Sequence, residues 1–450
     1  MRTFPLSVLS TVAFIASFPV LTAEASPKTF EQWCQQKDSL PAAKKNTVEA
    51  LLKQAETQDC KAASQKLNSL DELWLSNEEI TDVEPLANLT KLTKLSLFGN
   101  KVEDISPLAK LTLLSDLNLT GNEIKDIRPL SNLTKLTKLG LFNNKVEDIA
   151  PLAKLTLLSE LDLGFNEIKD IRLLANLTKL TKLGLFSSKV EDIAPLAKLT
   201  LLSELDLGFN EIKDIRLLAN LTKLTKLGLF SSKVEDIAPL AKLTLLSNLD
   251  LGGNAIKDIR PLANLTKLTK LGLLNNQVKD IAPLAKLTLL SDLDISGNEI
   301  KDIRLLANFT KLTKLSLSNN KIEDITPLSK LTSLTDLDLS RNQVKDIRLI
   351  AGLKNLESLS IARLNISDIK PLSTLTNLLI LQLHDNQITD VTPIANLTKL
   401  SSLDLSGNPV KSLKPLSNLK SLEILNLSKS RFKPADCPLQ PASICQFVDD

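Results

Sequence analysis

One pattern governs this chain. L-x-x-L-x-L-x-x-N-x-I begins at Leu70 and returns every 22 residues, at Leu92, Leu114, Leu136 and onward to Leu422, without insertion or deletion. Of the 17 starts, 12 carry Asn at the ninth position, from Asn100 and Asn122 to Asn386 and Asn408; Glu78, Ser188, Ser232, Leu364 and Ser430 fill the others. A register held this long overrides the expectation of about three globular domains that 450 residues would otherwise raise. A single repeat cannot bury its leucines, so each must stack on its neighbours in a rod-like array.

Every position in the repeat has a physical task. The alternation L-x-L suits a short parallel strand whose leucines point into the coil. The Asn amide carries both donors and an acceptor for backbone groups where the chain leaves the strand, a task Ser fulfils less completely. The second half, such as Val102-Glu103-Asp104-Ile105-Ser106-Pro107-Leu108, returns to the next strand. Its prolines favour an extended or 3₁₀ turn over an α-helix. Composition agrees: 43% of residues are hydrophobic, yet only 3% are aromatic and there is no Tyr, so the core is aliphatic.

The run Leu268-x-x-Leu271-x-Leu273-x-x-Asn276-x-Val278-x-Asp280-Ile281-x-Pro283-Leu284-Ala285 resembles the leucine-rich repeat family, and specifically the 22-residue type of the bacterial internalins. The resemblance covers residues 70–432. It implies an α/β repeat solenoid: a curved rod with a concave parallel β-sheet, 3₁₀ or irregular turns on the convex side, and a helical N-terminal cap. The ends depart from internalins, with no immunoglobulin-like domain, and their Cys-bearing caps are similar to those of secreted leucine-rich repeat proteins of cyanobacteria.

The expected organisation is a signal peptide over 1–25, an N-terminal cap over 26–69, the solenoid over 70–432 and a C-terminal cap over 433–450. Met1-Arg2, an apolar run from Phe4 to Leu21 and Ala23-Glu24-Ala25 read as a cleaved secretory leader. The segment Asn46–Ala55 reads as a helix with Asn46 or Thr47 as N-cap. Four cysteines allow three connectivities. A long rod places Cys34 and Cys60 at one end and Cys437 and Cys445 at the other, so only Cys34–Cys60 and Cys437–Cys445 come within bonding reach. Even cysteine usage fits export to the periplasm, the cell surface or the medium.

A longer period lies over the first. Residues 135–178 and 179–222 differ at two positions, Asn143/Ser187 and Asn144/Ser188; residues 223–266 differ from 179–222 at four, among them Phe209/Gly253. Duplication of a two-coil unit gives a surface that repeats every second strand. Between the inward leucines, the first outward column alternates in charge: Lys138, Glu160, Lys182, Glu204, Lys226. At about 4.8 Å between strands this is a charge ladder. The middle column alternates Gly140, Asp162, Gly184, Asp206, Gly228, Asp250; its carboxylates are too far apart to share an ion, and calcium would need help from Glu160.

The last column gathers the few aromatics. Phe98, Phe142, Phe186 and Phe230 fall on alternate strands, with Phe165 and Phe209 one residue later on strands between. Large apolar rings on an exposed face mark a partner site. The competing expectation is that they fold over Gly140, Gly184 and Gly228 as local packing. Asn-Leu-Thr at Asn88, Asn132, Asn176, Asn220, Asn264 and Asn396 formally matches a glycosylation acceptor, but the repeat accounts for it. The single His384, beside Asp385, reads as a solvated side chain.

A net charge of +3 gives no electrostatic footprint for nucleic acid, and one His leaves no His-based metal site or catalytic triad. The expected function is that of an exported, non-enzymatic, monomeric protein without cofactor or membrane insertion, binding a protein or polymer ligand on its concave face through Phe98, Phe142, Phe165, Phe186, Phe209 and Phe230. The alternatives are a passive surface spacer and an enzyme using paired carboxylates such as Glu160 and Asp162 on a polymer.

Overall fold

The computed structural model describes residues 28–447, so the leader expected over residues 1–25 lies outside the described residues. Among those residues 18 short strands, β1 (Glu72–Trp74) to β18 (Cys445–Gln446), form one parallel sheet. From β1 to β17 (Ile424–Asn426) each strand pairs with the one 22 residues later: Leu73 lies beside Leu95, and Leu271 beside Leu293. The repeat's Leu, Ile and Val side chains meet inside the coils in one continuous aliphatic core. The fold is a leucine-rich repeat solenoid with a concave sheet.

Opposite the sheet, each coil turns through a short 3₁₀ segment such as Ala150–Lys154 or Arg172–Asn176. An Asp two residues upstream starts the turn by accepting a backbone N–H: Asp148 Oδ1 accepts from Ala150 at 2.8 Å. Where Arg opens the turn, its guanidinium also holds that Asp, as Arg172 does Asp170 at 2.5 Å. That bond, reinforced by the Arg172 N–H, pulls Asp170 from its ordinary 3.8 to about 2.

Each Asn of the column bridges the backbone of its own coil and the one before it. Asn122 Nδ2 donates to Leu97 O and Leu119 O at 2.9 and 3.0 Å, while its Oδ1 accepts the Val102 N–H at 3.0 Å. Ser188 and Ser232 keep only the donating half, to Leu163 O and Leu207 O. The consequence is a different turn. Coils with Asn there have at most one residue at positive φ, at the eighth position; the coils of Glu78, Ser188, Ser232 and Leu364 have two, as at Ser187 (φ 53°) and Lys189 (φ 57°).

The N-terminal cap contains three helices, α1 (Phe30–Gln35), α2 (Ala42–Ala55) and α3 (Cys60–Ser69). The expected helix start at Asn46 or Thr47 is corrected: α2 begins at Ala42, with Pro41 at its N-cap. Asn46 and Thr47 have another use. Asn46 Nδ2 donates to Glu78 O at 2.8 Å and Thr47 Oγ1 to Asp82 O at 2.6 Å, tying the cap to the first coil. A disulfide joins Cys34 on α1 to Cys60 on α3, with Cα atoms 5.5 Å apart. At the other end Cys437 is bonded to Cys445, Cα atoms 6.0 Å apart, and β18 covers the edge of β17 through Leu425–Cys445 and Asn426–Gln446.

Candidate functional site

The concave face between Asp116 and Lys270 forms an open groove of ≈ 870 Å³. Its strands are β3 (Asp116–Asn118), β4 (Lys138–Gly140), β5 (Glu160–Asp162), β6 (Lys182–Gly184), β7 (Glu204–Asp206), β8 (Lys226–Gly228), β9 (Asn248–Asp250) and β10 (Lys270–Gly272). One wall is the charge ladder: Lys138–Glu160 at 3.0 Å, Lys182–Glu204 at 3.5 Å, Lys226–Glu204 at 3.3 Å and Lys270–Asp292 at 3.0 Å. Solvent screens these exposed pairs, so they order the wall more than they stabilise it.

The opposite wall is aromatic. Phe142, Phe165, Phe186, Phe209 and Phe230 form an unbroken ladder with successive ring centroids 5.1, 5.3, 5.1 and 5.1 Å apart, in edge-on and tilted contacts. Phe165 and Phe209 are 46% and 50% exposed, which for rings of this size leaves a contiguous apolar strip open to solvent. Phe98, also exposed, joins no ring contact among the described residues, because Thr120 and Gly121 occupy the coil between it and Phe142.

The expected local packing over Gly140, Gly184 and Gly228 is corrected. The half-buried rings of Phe142, Phe186 and Phe230 lie over Gly164, Gly208 and Gly252, where an added Cβ would come within 2.9, 2.9 and 2.8 Å of a ring carbon. Gly184, Gly228 and Gly272 instead make room for carboxylates: a Cβ there would meet Oδ1 of Asp162, Asp206 and Asp250 at 2.5, 2.7 and 2.8 Å.

Phe165 and Phe209 occupy an unusual backbone conformation. Their φ angles, 52° and 54°, are left-handed, a region that costs a bulky residue about 1–2 kcal/mol. In the other coils the same position, also at positive φ, holds Gly or Asn nine times, which suit it better, and otherwise Ser187, Ser231, Arg341, Arg363, Asp385 or Lys429. This conformation turns two rings that are one residue out of step in sequence back into line with Phe142, Phe186 and Phe230. The identity of the other occupants of that position was the one sequence signal pointing to it. Trp74, on the concave side of β1 and 54% exposed, is a further aromatic that sequence reasoning passed over.

The groove floor is acidic. Burial lifts the carboxyls of Asp162 and Asp250, against the opposing pull of the Gly164 and Gly252 N–H groups. Glu160, the group a calcium ion at Asp162 would need, is engaged with Lys138. No cluster of three or more His, Cys, Asp or Glu side chains suited to a metal occurs among the described residues. The expectation of a solvated His384 is corrected: the ring is half-buried, with Nδ1 3.6 Å from Asp404 Oδ2, and Asp385 pairs instead with Arg363 at 2.8 Å. No helix among the described residues is long and apolar enough to cross a membrane.

Comparison with known proteins places these features in a family. "Leucine Rich repeats (2 copies)" matches in eight successive units, residues 68–110, 112–154, 156–198, 200–242, 244–286, 288–330, 332–374 and 376–416. No curated protein matches the chain. Among solved structures it is similar to an internalin (InlF) of Listeria monocytogenes, at 33% identity over 86% of this chain and 95% of that one, TM-score 0.52. A leucine-rich repeat protein of Leptospira interrogans is similar at 24% identity over 85% and 97% of the two chains, TM-score 0.61. The Arabidopsis receptor kinase HAESA ectodomain, solved in complex with a peptide hormone, shares the fold at 22% identity over 80% and 74%, TM-score 0.57.

Proposed function

Because the chain belongs to the leucine-rich repeat family, similar to an internalin over most of its length, we propose that it is an exported, non-enzymatic binding protein that takes a protein ligand on its concave face. The observation that carries this reading is the pair Phe165 and Phe209. Two large rings sit half exposed in a backbone conformation that disfavours them, at a position where most other coils carry Gly or Asn and the rest a polar or charged residue. Strain held at an exposed apolar site is the mark of a surface kept for contact. Export is supported by the leader pattern over residues 1–25 and by two disulfides. The monomer is the expected state, since the N-terminal helices continue the core at one end and β18 covers the edge of β17 at the other.

The test is photocrosslinking in the secreting cell, with the reactive group at Lys182 in the groove and, as control, at Arg172 on the opposite turn. Gly164 is unsuitable because the Phe142 ring lies over it. A partner recovered from Lys182 and absent from Arg172 supports the reading. Recovery from neither, or equally from both, favours the passive spacer.

A further inference from the structure

The groove floor carries a period that the ring ladder leaves unused. Asp162, Asp206 and Asp250 sit on alternate strands, and each Oδ1 accepts the N–H of the Gly two residues on, at 3.1, 3.0 and 3.0 Å. Their orientation is thereby fixed, and the intervening glycines leave the carboxylates room. None of the three forms an ion pair among the described residues. The nearby ammonium groups of Lys138, Lys182, Lys226 and Lys270 are taken by Glu160, Glu204 and Asp292. A row of carboxylates outside any ion pair among the described residues, open to the groove and flanked by phenylalanines, is complementary to a ligand both cationic and apolar.

The spacing narrows the class. Strands two apart are about 9.6 Å from each other, and three residues of polyproline II span about 9.3 Å. In a β-strand, side chains on one face recur about every 6.7 Å and fall out of step at the second carboxylate. A helix brings residues seven apart round to the same face after about 10.5 Å, drifts by about 2 Å over three carboxylates and is about 10–12 Å wide. Proline rings against an aromatic wall are a recurrent contact of polyproline II segments, whose unbonded backbone groups remain free for a polar wall.

We infer that the groove takes a proline-rich, basic segment of the partner in the polyproline II conformation, with a basic residue at every third position over Asp162, Asp206 and Asp250 and prolines against Phe142 to Phe230. This rests on the reading of the concave face as the ligand site. A cationic ligand favours the charged form of Asp162 and Asp250, whose carboxyls desolvation has lifted, so affinity grows as the pH rises through their titration.

The experiment measures fluorescence anisotropy of labelled peptides on the full chain at two salt concentrations. The probes are repeats of Pro-Pro-Arg, an alternating Pro-Arg peptide with the same number of arginines, repeats of Pro-Pro-Glu, and a neutral β-linked glucose oligosaccharide. The expected result is a preference of about tenfold or more for Pro-Pro-Arg over alternating Pro-Arg, and no binding of Pro-Pro-Glu or the sugar. The combined variant Asp162→Asn, Asp206→Asn and Asp250→Asn retains each side-chain acceptor for its Gly N–H. It should lose about tenfold in affinity and flatten the salt dependence. Equal affinity for the two arginine peptides, undiminished binding by the triple variant, binding of none of the peptides, or preference for the sugar each overturns the inference. If a partner is nevertheless recovered through Lys182, the concave-face reading survives that failure; if Lys182 recovers nothing, both fall.

Discussion

Replacing Phe165 and Phe209 together by Gly separates a structural role for the ring ladder from a binding role. Gly253 already fills the equivalent place in the next duplicate, with φ 67°, so the backbone accepts it. Relief of the left-handed conformation returns about 1–2 kcal/mol per site, less about 0.5–1 kcal/mol for the freedom Gly gains in the unfolded chain. Against this, each ring gives up two ring contacts, worth about 0.5–1.5 kcal/mol apiece. The ring contacts outweigh the relief by about 1 kcal/mol per site. Loss of the buried half of each ring adds about 1 kcal/mol, so the net cost should be about 2 kcal/mol per site. Urea unfolding followed by far-ultraviolet circular dichroism measures it, with Leu183→Ala, expected at about 2–5 kcal/mol, as the comparator from the core. Capture through Lys182 should fall sharply in the same variant. Destabilisation above about 4 kcal/mol per site, in the upper range for a buried core side chain, would make the rings structural, and unchanged capture would remove them from the site.

Three further outcomes are expected. Peptide mapping without reduction should show Cys34 linked to Cys60 and Cys437 to Cys445; Cys34→Ser should lower the unfolding midpoint, by roughly 3 kcal/mol on loop entropy, while the central coils stay formed, and a crossed pair would contradict the end-to-end separation. Ser188→Asn should restore the acceptor for the coil before it and release Lys189 from positive φ, raising stability by about 1 kcal/mol in the same urea assay; a loss would show that the two-residue left-handed turn is preferred there. Asp170, Asp214, Asp302 and Asp346 are each held at about 2 by the Arg two residues on, so their contribution is full above about pH 4 and is lost as the pH falls toward 2. The variant with Arg172, Arg216, Arg304 and Arg348 all changed to Gln should show a shallower fall across that window, and an unchanged slope would contradict the assignment.

Much of the architecture was legible because the repeat is strict. A period of 22 determines the strand register outright: once Leu73 lies beside Leu95, every later pair follows. The caps were less legible, since Asn46 and Thr47 have the chemistry of helix N-caps and only tertiary contact shows them bonding to Glu78 and Asp82 instead. At the site, the six phenylalanines were visible in sequence but their grouping was not. Phe98 and Phe142 look equivalent on the 44-residue period, yet Thr120 and Gly121 break the ring contact between them. Phe165 and Phe209 look misaligned, yet positive φ restores them to the ladder. Positive φ recurs at the eighth position of every repeat, so the period marks the turn, but it does not say that a ring placed there swings back into line with its neighbours.

The claim that the ring ladder is the contact surface is tested most directly by hydroxyl-radical footprinting of the purified protein, alone and with the partner recovered through Lys182. Alone, Phe165 and Phe209 should be oxidised readily, in keeping with their exposure, and the core residue Phe309, fully buried, should not. With the partner, oxidation of Phe165 and Phe209 should fall while exposed Leu349 and Trp74 remain unchanged. Undiminished oxidation of both phenylalanines in a formed complex would contradict the account.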